Sequence, residues 1–308
     1  VDEQSSGVAV EDVWRSFGRV PALAGLSLSA PYGQVTALVG PNGAGKTTLL
    51  LILASLLRPD RGRVLVGGAD PVGNPRGVRR QMGWMPDTFG VYDQLIVGDY
   101  LAFFGTAYGL DAAATQTRVA DLLGLVHLSE FVGQPVHVLS RGQKQRLALA
   151  RALVHKPRVL LLDEPASGLD PRSRIELRDV LRGLAGEGVA VVVSSHILTE
   201  LEEVADRVVL VARGRTLGEH AMADLAGRAT LRYRIRAVNT DGLVAALAAR
   251  GVTPEAVSPS GVDIPALSEV DAADLLAGVV AAGVRVVAFE PLGSNLESVY
   301  LSMTEERR

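Results

Sequence analysis

The sequence contains no cysteine, which excludes disulfides and thiolate metal sites and is compatible with a reducing compartment. Aromatic residues make up only 5%, and neither sign of charge dominates: 31 Lys and Arg stand against 34 Asp and Glu, a formal net charge of -3. That balance supplies no electrostatic footprint for nucleic acid, so no nucleic-acid partner is expected. Long hydrophobic runs are missing as well, although the mean hydropathy is positive, +0.23. A membrane-spanning helix needs about 18 consecutive apolar residues. The nearest approaches, Leu49 to Leu57 and Leu275 to Val284, are closed by Arg58 and Arg285 and read as core helices. The polar opening stretch, Val1 to Gly7, has neither the basic nor the apolar region of a secretory signal, so export of the chain is not expected.

With 308 residues the chain exceeds what one core usually holds, about 250 residues, and two domains are expected. Up to about residue 215 short apolar runs alternate with helical patterns, the texture of an α/β domain. Val35 to Val39, Arg158 to Leu162 and Val189 to Val193 are Val/Leu-rich and suit the centre of a parallel sheet. Arg207 to Ala212 reads as a strand, Arg213-Gly214-Arg215 as a turn, and the stretch from there to Arg228 as helical. From Ala229 the pattern changes: Leu231, Tyr233 and Ile235 alternate with Arg232, Arg234 and Arg236, the period of a strand with one wet face. A helix (Asp241 to Arg250), short strands around Val257 and Val262, a helix (Glu269 to Ala282) and a strand (Val284 to Glu290) follow. Ser268 with Asp271 and Ser294 with Glu297 have the spacing of capping boxes. This order, β-α-β-β-α-β with a terminal helix, predicts a small ferredoxin-like module.

Gly40-Pro41-Asn42-Gly43-Ala44-Gly45-Lys46-Thr47 fits the phosphate-loop pattern G-x-x-x-x-G-K-[ST], between a strand and a helical run that starts at Thr48. Glycines let the backbone curl so that successive N–H groups face phosphate oxygens. Lys46 is then placed for the β- and γ-phosphates, and the Thr47 hydroxyl for Mg²⁺. Alone, this loop says only that a nucleoside triphosphate binds. Arg158 to Pro165 is an apolar strand ending in Asp163 and Glu164. Side chains alternate along a strand, so the two acids can divide the work: Asp163 toward Mg²⁺, Glu164 toward a water that attacks the γ-phosphate. A polar turn at a strand end is the plain alternative.

Between these elements lies Leu139-Ser140-Arg141-Gly142-Gln143, ahead of an Ala/Leu-rich helical run. Here the chain resembles the ATPases of ABC transporters, whose signature is L-S-G-G-Q; Arg141 stands where the family more often has Gly. By itself Ser140 would be an ordinary helix cap. The resemblance implies that Ser140, Gly142 and Gln143 complete a site in trans on the nucleotide held by an opposite subunit, so a homodimer of ATPase subunits is expected. Asp170, in Ser167-Gly168-Leu169-Asp170, resembles the D-loop between the two sites, and His196, in Ser194-Ser195-His196, the switch histidine. Phe17 aligns with the aromatic that stacks on adenine; an aromatic ending an N-terminal strand is as often core. Asp87 stands where the family has the Gln of the Q-loop, and a carboxylate there is a candidate Mg²⁺ contact.

The stretches Phe89 to Leu95 and Tyr100 to Phe104 are similar to the ABC-2 export subfamily, in which this region meets the membrane subunit; a helical core explains the aromatics as well. Leu296 to Leu301 is similar to that subfamily's closing helix. The resemblance implies an α/β fold, a P-loop NTPase of ABC ATPase type with a RecA-like core plus a helical subdomain. It spans residues 8–225, with the helical subdomain at about 88–157, and residues 229–308 form the small C-terminal α+β domain. The implied ligands are ATP and Mg²⁺. The implied partner is an ABC-2 type integral-membrane permease, and the implied place is peripheral, on the cytoplasmic face of the inner membrane. Two other classes are weighed. A soluble relative acting on DNA or ribosomes would bring a coiled coil or a second phosphate loop, and neither is present. A small-molecule kinase would leave the signature segment and Asp170 unexplained.

Overall fold

The computed structural model describes residues 6–88, 90, 92, 94–197, 201–225 and 231–292. The expected capping box at Ser294 and Glu297, the closing helix at Leu296 to Leu301, and Phe89, Val91 and Asp93 lie outside the described residues. The chain divides into two compact units, residues 1–220 and 221–308. Among the described residues no helix is long and apolar enough to cross a membrane.

In the first unit β1 (Ser6–Phe17) and β2 (Val20–Pro31) form a long antiparallel hairpin. They are followed by β3 (Val35–Val39), α1 (Lys46–Leu53), β4 (Arg61–Val66), α2 (Pro75–Gln81) and β5 (Met82–Met85). Three helices come next, α3 (Val97–Ala107), α4 (Ala112–Leu125) and α5 (Arg141–Leu153). The unit continues with β6 (Val159–Asp163), α6 (Pro171–Gly186), β7 (Ala190–Ser195), β8 (Arg207–Ala212) and β9 (Arg215–Ala221).

Two sheets result. One is antiparallel in the order β2-β1-β4; the other runs β5-β6-β7-β3-β8-β9, with its first five strands parallel. Strands β3, β6 and β7 are buried along their whole length, which is why their sequences are unbroken apolar runs rather than alternations. Val8, Val10, Leu26 and Leu28 from the antiparallel sheet pack with Leu38, Leu161 and Val192 from the parallel one, and with Leu49 and Leu53 of α1. The helix starts are locally encoded. Asp111 caps α4 by accepting from Ala114 N at 2.8 Å, and Asp170 caps α6, whose first residue is Pro171. At the other end of α5, Arg118 donates to the carbonyls of Leu153 and Val154, answering acceptors that the helix leaves open.

The helical reading of the stretch after Arg215 is corrected for residues 215–221, which are strand β9, and holds for Met222–Leu225, a short helix. Arg213 (φ 49°) and Gly214 (φ 72°) both take left-handed backbone, the geometry of a two-residue hairpin turn, and this folds the chain back along β8.

The second unit contains β10 (Leu231–Ala237), α7 (Thr240–Ala248), β11 (Ala256–Ser258), β12 (Gly261–Leu267), α8 (Glu269–Ala281) and β13 (Val286–Leu292). Its antiparallel sheet has the order β11-β12-β10-β13, so β12 lies between the strands that α7 joins, a split β-α-β arrangement. Tyr233, Ile235, Val262 and Ile264 face a core completed by Leu243, Leu247, Leu275 and Val279 from the two helices. On the opposite face Arg234 sits across from Asp263 and donates two hydrogen bonds to it, at 2.6 and 2.8 Å. Paired in this way, the Asp263 carboxyl is held below the usual carboxylate range.

A pH-dependent stability follows, and its sign is fixed by linkage. A carboxyl with a depressed folded pKa binds fewer protons folded than unfolded, so its contribution is full above the unfolded value of about 3.9 and is lost as pH falls through the lowered one. Asp263→Asn is expected to melt at lower temperature than the parent at neutral pH, with the gap closing below about pH 4. Thermal melts at both pH values check this; a gap independent of pH would contradict it.

Candidate nucleotide site

Four parallel strands end on one edge of the larger sheet, where a parallel α/β sheet offers its crevice. Val39 lies beside Ser195, Asp163 beside Ser194, and Met85 beside Leu162. Gly40, His196, Glu164 and the Pro86-Asp87 pair therefore leave the sheet at neighbouring points.

The loop after β3 is pressed against the sheet on one side and open on the other. A Cβ on Gly40 would meet the Val211 carbonyl oxygen at 2.1 Å, and one on Gly45 the Ala22 carbonyl oxygen at 2.6 Å, whereas at Gly43 nothing stands within 4 Å. Gly43 and Gly45 also carry φ of 79° and 105°, which glycine adopts without strain. Within the loop Ala44 N donates to Pro41 O at 3.1 Å. Pro41, Asn42 and Thr47 are exposed, Ala44 is buried and Thr48 is half-buried. Lys46 opens α1 and is only 6% exposed. Its Nζ donates to Gly40 O at 2.6 Å and lies 3.9 Å from Glu164 Oε1. Burial lowers the Lys46 pKa, and the charges of Glu164 and Asp163 act in the opposite direction.

The two acids differ as their places on the strand require. Asp163 is 2% exposed and accepts from Ser194 Oγ at 2.5 Å; the same oxygen accepts from Glu164 N at 3.1 Å. Glu164 leaves the strand with φ 50°, uncommon for a residue with a side chain. Its Oε2 accepts from His196 Nδ1 at 2.9 Å. Lys46, Asp163, Glu164 and His196 thus form one connected group.

The remaining expected residues stand apart from that group in the described contacts. Phe17, at the end of β1, is 51% exposed, which removes the core reading, and the Arg15 guanidinium lies 5.0 Å from its ring centre. Asp87 is exposed just beyond β5. Ser140 and Gln143 form a capping box on α5: Ser140 Oγ accepts from Gln143 N at 3.2 Å, and Gln143 Oε1 from Ser140 N at 2.8 Å. Gly142 follows Arg141 in the first turn of that helix. The Arg141 side chain lies over Gly168, where a Cβ would come within 2.9 Å of its Nε. Asp170 accepts from Ser173 N and Oγ at 3.1 and 2.7 Å.

Two residues escaped the sequence reading. Gly214 donates its N–H to Ala44 O at 2.9 Å and accepts from Ala24 N at 2.8 Å, bracing the phosphate loop against β2. Gln145, buried on α5, donates to Pro165 O at 3.0 Å, next to Glu164. The sequence marks Gly214 only as a glycine in a turn, and nothing local marks Gln145.

A buried ammonium beside an open backbone loop suits a phosphate chain. Among the described residues no three His, Asp or Glu side chains cluster as a metal cage. Mg²⁺ at phosphates takes one or two carboxylates with water and phosphate oxygens, so Asp163 and the Thr47 hydroxyl are a donor set of the right kind.

Comparison with known proteins agrees with this geometry. The sequence profile of the family described as ABC transporter matches residues 23–167. The chain is 43% identical over 197 residues to the probable multidrug ABC transporter ATP-binding protein YbhF of Escherichia coli (strain K12), covering 64% of this chain and 34% of YbhF. It thus spans about a third of that relative's length. With the daunorubicin resistance ATP-binding protein DrrA3 of Streptomyces coeruleorubidus it shares 37% identity over 220 residues, 71% of this chain and 70% of DrrA3. A solved ATP-binding subunit of an ABC transporter superposes with a TM-score of 0.66 at 28% identity, covering 71% of this chain and 91% of that one. A phosphate loop on a parallel sheet edge, a matching profile and a relative covered over most of its length lead to one conclusion: the chain belongs to the ABC transporter ATP-binding family.

Proposed function

We propose that this chain is the ATP-binding and ATP-hydrolysing subunit of an ABC-2 type exporter, powering a separate membrane-spanning permease from the cytoplasmic face. The observation that carries the reading is the group Lys46, Glu164 and His196 beside the open loop at Gly43. The names of YbhF and DrrA3, a multidrug transporter protein and a resistance protein, favour export. Residues 8–225 form the ATPase domain in this reading, with the helical subdomain at about 88–157, and residues 229–308 form a ferredoxin-like C-terminal domain.

The exposed ring of Phe17 takes the adenine face, and Lys46 with the backbone from Gly40 to Thr48 holds the phosphates. Thr47 and Asp163 hold Mg²⁺, with Asp87 as a further oxygen donor. When bound, that ion neutralises charge on the phosphate oxygens. Glu164 accepts a proton from the attacking water, and His196 holds the Glu164 carboxylate in place while facing the γ-phosphate. Ser140, Gly142 and Gln143 close over the nucleotide of a second copy, so a homodimer is the working unit, with Asp170 between its two sites. The capping box uses Ser140 Oγ and Gln143 Oε1 as acceptors; the Ser140 O–H and the Gln143 amide N–H groups remain as donors, the polarity an anion needs.

Glu164→Gln is expected to bind ATP as the parent does while turnover falls by about 10²–10⁴, since only the proton acceptor is lost. Phosphate release with a parallel ATP titration checks this, and full turnover in the variant would remove Glu164 from the role. Lys46→Met relieves a buried charge whose desolvation outweighs its attractions. The nucleotide-free variant should therefore melt no lower than the parent, and ATP should no longer raise its Tm. An undiminished ATP-induced rise would show that the loop is misassigned.

A further inference from the structure

We propose that Gln145 is a positioning residue for Glu164, tying the helix that starts at the signature segment to the backbone of the residue that activates water. This rests on the reading of Glu164 given above and adds to it a residue on a different layer of the fold.

Gln145 lies on the second turn of α5 and is 6% exposed. It lines a mostly apolar pocket with Met85, Leu149, Pro165 and Leu169, which Arg146 and Glu176 also reach. An amide placed there must find a partner or bear its desolvation in full. The partner is Pro165 O, at 3.0 Å from Gln145 Nε2. Proline has no N–H to donate, so the backbone of the residue after Glu164 can be held only through its carbonyl, in the peptide that joins Pro165 to Ala166.

The neighbouring residue needs holding. Glu164 has φ 50°, a backbone state that persists in a residue with a side chain only where the surroundings enforce it. Its N–H is directed at Ser194, at 3.2 Å from the carbonyl oxygen and 3.1 Å from Oγ, and its own carbonyl accepts from Ser167 N at 3.0 Å. Those ties come from β7 and from the local turn. Gln145 adds one from the helical layer, just past Glu164. Without it the Pro165 carbonyl is free to rotate and Glu164 to relax toward ordinary backbone, which swings its carboxylate away from His196 and Lys46. The nucleotide-binding loop, on β3 and α1, is left as it was. The loss should therefore fall on the chemical step and not on binding.

Gln145→Met keeps the volume and removes the donor. The full chain carrying it is expected to show kcat reduced roughly 10- to 10²-fold, the scale of a misplaced catalytic group, with KM for ATP and the ATP-induced rise in Tm unchanged. Gln145→Glu supplies the readout that packing alone would not move. A buried carboxyl favours its protonated form, and that form donates to Pro165 O whereas the carboxylate repels it. Its rate relative to the parent should rise as the assay moves from about pH 8 to about pH 6. A parental kcat in Gln145→Met, a rise in KM with kcat held, or a Gln145→Glu to parent ratio flat with pH would each overturn the proposal. Glu164→Gln run alongside separates the two readings. If that variant is inactive while Gln145→Met is not impaired, only the positioning role falls; if Glu164→Gln keeps full turnover, the reading of Glu164 falls and the positioning role with it.

Discussion

A buried ammonium has to be answered by oxygen, and at Lys46 the protein answers it incompletely. The hydrogen-bonded partner is a neutral carbonyl, Gly40 O, and the nearest carboxylate oxygen, on Glu164, stands at 3.9 Å, beyond a hydrogen bond. At that separation a pair in a partly polar interior gains about 4 kcal/mol, while removing an ammonium from water costs several kcal/mol per ion. The deficit shows in the direction of the Lys46 pKa, which is lowered despite two acids close by. A loop whose glycines press it to the sheet and leave one face open presents the missing negative charge with a place to sit. The rest of the site is arranged around that unfinished contact, because the parallel register brings the ends of β3, β6 and β7 to the same edge.

The two adjacent acids show how one strand end serves two purposes. Asp163 is still in the strand, points into the layer and is anchored by Ser194. Glu164 is the first residue out, and its left-handed backbone sets it on a different course from the one strand alternation would give. The strain this represents is held by hydrogen bonds on both flanks, from Ser194 and from Ser167. Strain held in this manner is a common property of residues that must face a ligand.

Contiguity decided what could be read from the sequence. The phosphate loop, the acids after an apolar run and the capped signature helix are each a few neighbouring residues whose local geometry follows from glycine, alternation and capping. The same applies to the buried strands and to the alternating Arg232, Arg234 and Arg236 of the second unit. The strand ending at Phe17 is in the sequence reading, but its antiparallel pairing with β2 is not: the register shifts between Val10 and Val13, where Asp12 takes φ 45°. Strand β9 was misread as helix because its identity depends on the turn at Arg213 and Gly214 and on β8 beside it. Gly214 against Ala44, and Gln145 against Pro165, are pairings between segments far apart in the chain, and no local pattern announces them.

Ser140 raises a different matter, since it is given a place at the partner's nucleotide while also capping a helix within its own subunit. The two uses do not compete. A capping oxygen accepts from the helix N–H groups, whereas a phosphate needs a donor, and a hydroxyl supplies both at once. The conformation that makes Ser140 a cap also fixes the helix start whose N–H groups face outward. Loss of a cap costs on the order of 1 kcal/mol, a modest share of the stability of a domain of this size. An alanine at Ser140 that abolished turnover would thus have removed more than the cap, and a threonine there, which keeps both hydroxyl functions, should restore it. Local folding and recognition across the dimer would then draw on the same atoms, which is why a cap-like sequence at this place carries more meaning than a cap elsewhere in the chain.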